Sequence, residues 1–205
     1  MTDITFTDAS KYLKPKQIFS NDQQTRELSA FIIYAKLHNV DELSNAHSRE
    51  KHTVATLPVD SDKQLLMRIR SINDETFCLE TIYLPKGSST YKELSVPLER
   101  ASYQLLFEIA TCVQQSTVCR YRILDTDMEW RIEEFLARSG LPHPWVKVTL
   151  ELDNTDVIVP KLPVTVSDYI YAQDENLTPE DKQKIIELET SEWFKSDQKN
   201  NYVVF

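Results

Sequence analysis

Arg68 and Arg70 stand one residue apart inside the apolar run "QLLMRIRSI", residues 64–72. Side chains of a strand alternate between its two faces, so both guanidinium groups share one face while Met67 and Ile69 share the other. The same phase recurs downstream. In "TVCRYRIL" Arg120 and Arg122 oppose Tyr121 and Ile123, and in "EWRIEEF" Arg131 and Glu133 oppose Trp130 and Ile132. In "WVKVTLEL" Lys147, Thr149 and Glu151 oppose Val146, Val148, Leu150 and Leu152, and in "TYKELSV" Glu93 shares a face with Tyr91 and Ser95. Arginine's planar fork donates two parallel hydrogen bonds to phosphate, and glutamate oxygens are hard ligands for a divalent cation. The chemistry available to this set is recognition of a phosphorylated anion, with or without metal-assisted hydrolysis.

The elements that must position these residues are mostly strands. Alternation places them at 64–72, 76–84, 90–96, 117–124, 128–136 and 145–152, with "SIND", "PKGSS", "LDTD" and "SGLPHP" as turns between most of them. Upstream, "TVATLPV" reads as a short strand broken by Pro58, residues 41–52 as a polar loop, and "RELSAFIIYAKLHNV" as either a strand or a helix. One helix interrupts the series over "PLERASYQLLFEIATCV", with Pro97 in its first turn and Leu98, Ala101, Leu105, Leu106, Ile109 and Val113 as its packing stripe. A second begins at "TPEDKQKIIELETSEWF", with Thr178 as N-cap, Pro179 as first residue and Asp181 completing a spacing like a capping box. The fold class is α+β.

Composition narrows the function. With Gly87 and Gly140 as the only glycines, the glycine-rich phosphate cradles are excluded, and a phosphate must be held by side chains. Cys78, Cys112 and Cys119 have neither metal-ligand spacing nor an even number for a disulfide framework, and Cys119 reads as a buried thiol. His38, His47, His52 and His143 lack paired spacing and read as exposed imidazoles at turns and loop edges. The net charge of -9 argues against an extended nucleic-acid surface. The apolar segment "AFIIYA", residues 30–35, is short of a membrane span or signal peptide, so the expectation is a cytoplasmic protein with no membrane partner. An antiparallel sheet with one solvated face laced by ion pairs would also explain charged strands. Against it stands the sign: six basic side chains, Arg68, Arg70, Arg120, Arg122, Arg131 and Lys147, face only Glu93, Glu133 and Glu151 in an acidic chain.

The order of blocks "LMRIR", "FCLETIYL", "YKELSVPL" leading into a helix, "VCRYRI", "EWRIEEF", "SGL", "VTLEL" and "PVTVSDYIY" resembles the CYTH domain of the triphosphate tunnel metalloenzymes over roughly residues 52–190. The resemblance implies an antiparallel eight-stranded β-tunnel with helices packed outside, binding triphosphate-containing substrates through basic residues and holding Mg²⁺ or Mn²⁺ through glutamates. On it, residues 51–205 form the tunnel domain with a C-terminal helix, and residues 1–50 are a lead-in with a possible first strand. Arg68 and Arg70 match the family's R-x-R strand, Glu93 the first Glu of R-x-E-x-E, Arg120 the Arg of K-x-R, and Glu151 the second Glu of the late E-x-E. Glu133 stands where the family has Asp.

The departures from the family pattern fall on acids and bases alike, and the lysine of the family's threonine-and-lysine strand falls near Ile82. Tyr91 and Ser95 replace the leading Arg and second Glu of R-x-E-x-E, Val118 replaces the Lys of K-x-R, and Thr149 the first Glu of E-x-E. The opening E-x-E-x-K has only Glu27 in "ELSAF" as a counterpart. Anion binding is thus expected to outlast catalysis, with Arg68, Arg70, Arg120, Arg122, Arg131 and Lys147 binding a phosphorylated small molecule or nucleotide. An active metal-dependent triphosphatase or nucleotidyl cyclase would use Glu93 and Glu151 catalytically and Glu93, Glu133 and Glu151, with Glu27 or another acid, for Mg²⁺ or Mn²⁺; a binder needs no cofactor. The third class is a protein-interaction module whose charged face is filled by internal ion pairs, meeting a partner through residues 1–50 or the C-terminal "NNYVVF".

Overall fold

Runs rich in β-branched and aromatic residues fold as strands β1 (Lys14–Phe19), β2 (Thr25–Leu37), β3 (Ser48–Thr56), β4 (Leu65–Ile72), β5 (Thr76–Tyr83), β6 (Tyr91–Pro97), β7 (Cys112–Arg122), β8 (Glu129–Leu136), β9 (Pro142–Leu152) and β10 (Val166–Tyr171), with helices α1 (Arg100–Ile109) and α2 (Pro179–Thr190). The structure, a computed structural model, describes residues 14–19, 25–59, 65–83, 91–124, 126, 128–136, 141–152, 159–172, 174 and 176–190. Both glycines, the "NNYVVF" segment and the side chain of Glu27 lie outside that description.

The ten strands make one sheet in the order β1-β6-β5-β4-β3-β7-β8-β9-β2-β10, with a further pairing of β1 to β2. The pairings are antiparallel except for β1 with β6, which is parallel. The class is α+β, with ten strands among the described residues where eight antiparallel ones are expected. Most of "RELSAFIIYAKLHNV" is strand β2, placed between β9 and β10, so β1 and β2 of the first 50 residues are built into the sheet. The expected polar loop at 41–52 is a 3-10 turn, Val40–Asn45, followed from Ser48 by β3, whose register against β7 runs from Ser48 to Thr56. His52 lies in that strand and is 1% exposed, on the same face as Glu50 and opposite Ser116, while Lys51 points to the other face.

One face of the sheet is apolar. Phe31, Ile33, Ala35, Cys119, Tyr121, Trp130, Ile132, Val146, Val148 and Leu150 pack together beneath Leu43, Val159 and Val164. Farther along the same face, Ala55, Ile69 and Val113 pack against Tyr103 of α1, with Met67, Phe77 and Leu79 beside them. α1 is shorter than expected. Pro97 closes β6 and Val113 belongs to β7, and the helix buries Tyr103 with Leu106 and Phe107, three and four residues on, leaving Leu105 68% and Ile109 58% exposed. The aromatic ring of Tyr103 stacking near Phe77 at 4.8 Å decides which stripe faces the sheet.

α2 begins as expected. The Thr178 hydroxyl accepts from the Asp181 backbone N–H at 3.1 Å and donates to the Asp181 carboxylate at 2.7 Å. It does not pack on the apolar face with α1. Its Ile185 and Leu188 cluster with Tyr34, Phe135, Trp145 and Ile170, which share the phase of the charged residues, and Gln114 donates to the Leu188 carbonyl at 3.0 Å. The charged face is apolar at that end, and burying Tyr34, Phe135 and Trp145 there draws the helix onto it. Among the described residues no helix is long and apolar enough to cross a membrane.

Candidate functional site

Directly opposed residues in a sheet project to the same face, so register decides which side chains can meet. Arg68 opposes Glu80, which opposes Ser95; Arg70 opposes Val54 and Cys78; Glu93 opposes Ile82. Val54 opposes Gln114 on β7, and Arg120 opposes Arg131, Val118 opposes Glu133 and Arg122 opposes Glu129. Arg131 in turn opposes Thr149, Glu133 opposes Lys147, and Glu151 opposes Ala30. The strand pairings thus carry Arg68, Arg70, Glu93, Arg120, Arg122, Arg131, Glu133, Lys147 and Glu151 onto one face of the sheet, where they fall into separate groups.

The first group is Arg68, Arg70 and Glu80. Arg68 Nε donates to Glu80 Oε2, while Arg70 Nε donates to Glu80 Oε1 at 2.7 Å and Arg70 Nη2 to Glu80 Oε2 at 3.1 Å. Burial alone would raise the Glu80 carboxyl, but the charges and hydrogen bonds of Arg68 and Arg70 override it and hold the group at about 2. Two guanidiniums thus converge on one oxyanion and leave the group one positive charge in excess. Burial and the neighbouring Glu80 carboxylate push the adjacent Cys78 thiol up, which favours its protonated form.

The second group centres on Arg120, which donates through Nη2 to Glu50 Oε2 at 3.0 Å and through Nη1 to Glu129. His52 lies between the groups, its Nδ1 2.9 Å from Arg70 Nη1 and its Nε2 3.1 Å from Glu50 Oε2. The third group contains Arg131, Glu151, Glu133 and Lys147. Arg131 Nη1 lies 3.7 Å from Glu151, Ser116 Oγ donates to Glu133 at 2.6 Å, and Lys147 Nζ stands 5.6 Å from the centre of the Tyr34 ring. Burial opposes ionisation of Glu133, but Lys147, the Ser116 hydrogen bond, Arg70 and Arg131 bring its carboxyl below the usual range. Arg120 Nε and Arg131 Nε, on directly opposed residues, are buried donors with no hydrogen-bond partner among the described residues.

Glu93 stands on β6, beyond β5 from the paired arginines, and Arg122 is exposed at the end of β7. Among the described residues no three acidic, histidine or cysteine side chains come together as a metal-binding group. Of the expected set Glu93, Glu133 and Glu151, two serve other partners: Glu133 accepts from Ser116 and Glu151 faces Arg131. An Mg²⁺ ion needs near-octahedral oxygen at close range, and this donor set, interleaved with guanidinium groups, does not fit one.

Phase alone missed Glu50, Glu80, Glu129, Ser116 and His52. The hairpin carried a usable signal for Glu80: Asn73 and Asp74 adopt φ of 53° and 56°, a left-handed turn these residue types tolerate, and the turn sets Ile72 against Thr76 and thereby Arg68 against Glu80. Glu50, Glu80 and Glu129 double the carboxylates counted on this face and remove its basic excess. No family model matches the chain, and no curated protein matches it.

Proposed function

We propose that this chain is a divergent triphosphate-tunnel protein that binds a nucleotide, triphosphate or polyphosphate through the Arg68 and Arg70 end of its charged face and does not turn it over. The observation that carries this reading is the convergence of two guanidinium groups on the single Glu80 carboxylate. That arrangement is one in which a phosphate oxygen would be gripped, with the fork of each arginine already oriented and one positive charge uncompensated. The pairing of β1 with both β6 and β2 supports a tunnel, since it joins strands that otherwise stand far apart in the sheet order. The unpartnered Nε donors of Arg120 and Arg131 add capacity for anion oxygens on the same face. The engagement of Glu133 and Glu151 with Ser116 and Arg131 speaks against a metal-dependent hydrolase.

A second reading has its own support. Arg68, Arg70 and Arg120 each already hold a carboxylate, as expected of a face whose ion pairs are structural and whose function is to present the fold to a protein partner. A thermal-shift titration with tripolyphosphate and nucleoside triphosphates, with and without Mn²⁺, and with phosphate release followed in the same wells, separates the readings. Binding at a concentration one hundred times the dissociation constant adds about 2.7 kcal/mol to stability, a shift readily measured. The expected result is stabilisation without release. Metal-dependent release restores the enzyme, and no shift with any ligand leaves the structural reading.

A further inference from the structure

His52 is the buried titratable group that the phosphate-binding reading leaves without a task. It lies on β3 with its imidazole 1% exposed, 2.9 Å from Arg70 Nη1 through Nδ1 and 3.1 Å from Glu50 Oε2 through Nε2. A guanidinium has only donors and an ionised carboxylate only acceptors. Nδ1 must therefore accept from Arg70 while Nε2–H donates to Glu50, which only the neutral ring protonated at Nε2 can do.

We propose that His52 is a proton-operated latch: neutral, it joins the Arg68–Arg70–Glu80 group to the Glu50–Arg120–Glu129 group, and protonated, it parts them. A proton taken from solvent onto Nδ1 turns the acceptor into a donor aimed at the Arg70 Nη1–H. That hydrogen bond breaks and the two cations repel. The bond from Nε2–H to Glu50 remains and becomes charge-assisted, and Arg70 keeps its Nε and Nη2 bonds to Glu80. Nη1 is thereby released as a donor, which makes the coupling across the face a function of pH.

The groups facing the ring act in both directions. Glu50 on its own strand and Glu133 on β8 favour the imidazolium, and Arg70 on β4 opposes it. Ser116, directly opposite on β7, is held by Glu133, and Glu80 and Cys78 on β5 act through Arg70. Burial is the largest influence and, with Arg70, brings the ring below the ordinary histidine value of 6.5. The unfolded chain then takes up its proton before the folded chain does. Stability falls as pH drops from 6.5 toward the folded value.

The test is an NMR titration of the wild-type protein from neutral to mildly acidic pH, following the His52 Cε1–H and Arg70 Nε–H signals, with urea unfolding of wild type and His52→Gln across the same range. Glutamine keeps a donor and an acceptor but does not titrate. The expected result is a His52 midpoint below the ordinary value, an Arg70 signal that moves with the same midpoint, and loss of the stability slope in His52→Gln. A His52 midpoint at or above the ordinary value, or an Arg70 signal that stays still while His52 titrates, overturns the proposal. Should His52→Gln fail to fold, the wild-type titration decides.

Discussion

Glu80 serves two arginines with one carboxylate, and its consequences can be measured without knowing any ligand. Its side chain is 8% exposed against 14% for Arg70 and 26% for Arg68, so removing its charge strands two part-buried guanidinium groups. Glu80→Gln should cost about 3 kcal/mol or more in urea unfolding at neutral pH, because breaking a buried pair leaves an uncompensated charge. The sign of the pH dependence follows from the direction of the shift. A carboxyl held at about 2 in the fold and 4.5 when unfolded adds stability above 4.5, and that stability is lost as pH falls from 4.5 toward 2. The wild type should show this acid limb and Glu80→Gln should lack it; equal acid slopes would mean that Glu80 is not held as described. The candidate arginines were legible in the sequence because strand phase is a local property. Their partners were not, because Glu80, Glu50 and Glu129 meet them only through register between strands, and His52 was hidden by a stretch whose polarity reads as loop.

At the scale of elements, α1 shows how a periodic pattern can be right in kind and only partly right in face: Leu98 and Leu106 of the expected stripe pack, whereas Leu105 and Ile109 are exposed. Both apolar stripes repeat at helical spacing, and the choice between them lies with the shape of the sheet beneath, where Phe77 meets Tyr103. Tyr103→Ala should therefore destabilise by about 3 kcal/mol, as truncation of a buried aromatic does, whereas Leu105→Ala should stay within about 0.5 kcal/mol of wild type. Thermal or urea unfolding of the two variants checks this, and the reverse order would contradict the packing. The cap of α2 was legible because it is written within four residues, from Thr178 to Asp181. Thr178→Ala should cost about 1 kcal/mol through the lost bond to the Asp181 N–H. Where α2 docks was not legible: Tyr34, Phe135 and Trp145 share the phase of charged residues and come together only when β2, β8 and β9 are neighbours.

Among the described residues, the sheet gathers basic and acidic side chains from β3 to β9 onto one face and shields the other with α1 and the segments around Leu43 and Val164. α2 closes part of the charged face, leaving the Arg68 and Arg70 end as the place for an anion in the proposed function. That claim depends on the arginine fork and not on charge alone, which separates it from nonspecific attraction and from a face of purely structural ion pairs. The most direct measurement is isothermal titration of tripolyphosphate into the wild type and into Arg68→Lys, a change that keeps the charge and removes the fork. The account predicts saturable one-to-one binding to the wild type and at least about tenfold weaker binding to Arg68→Lys, equivalent to about 1.4 kcal/mol. No binding to the wild type, or equal affinity in both proteins, would contradict it.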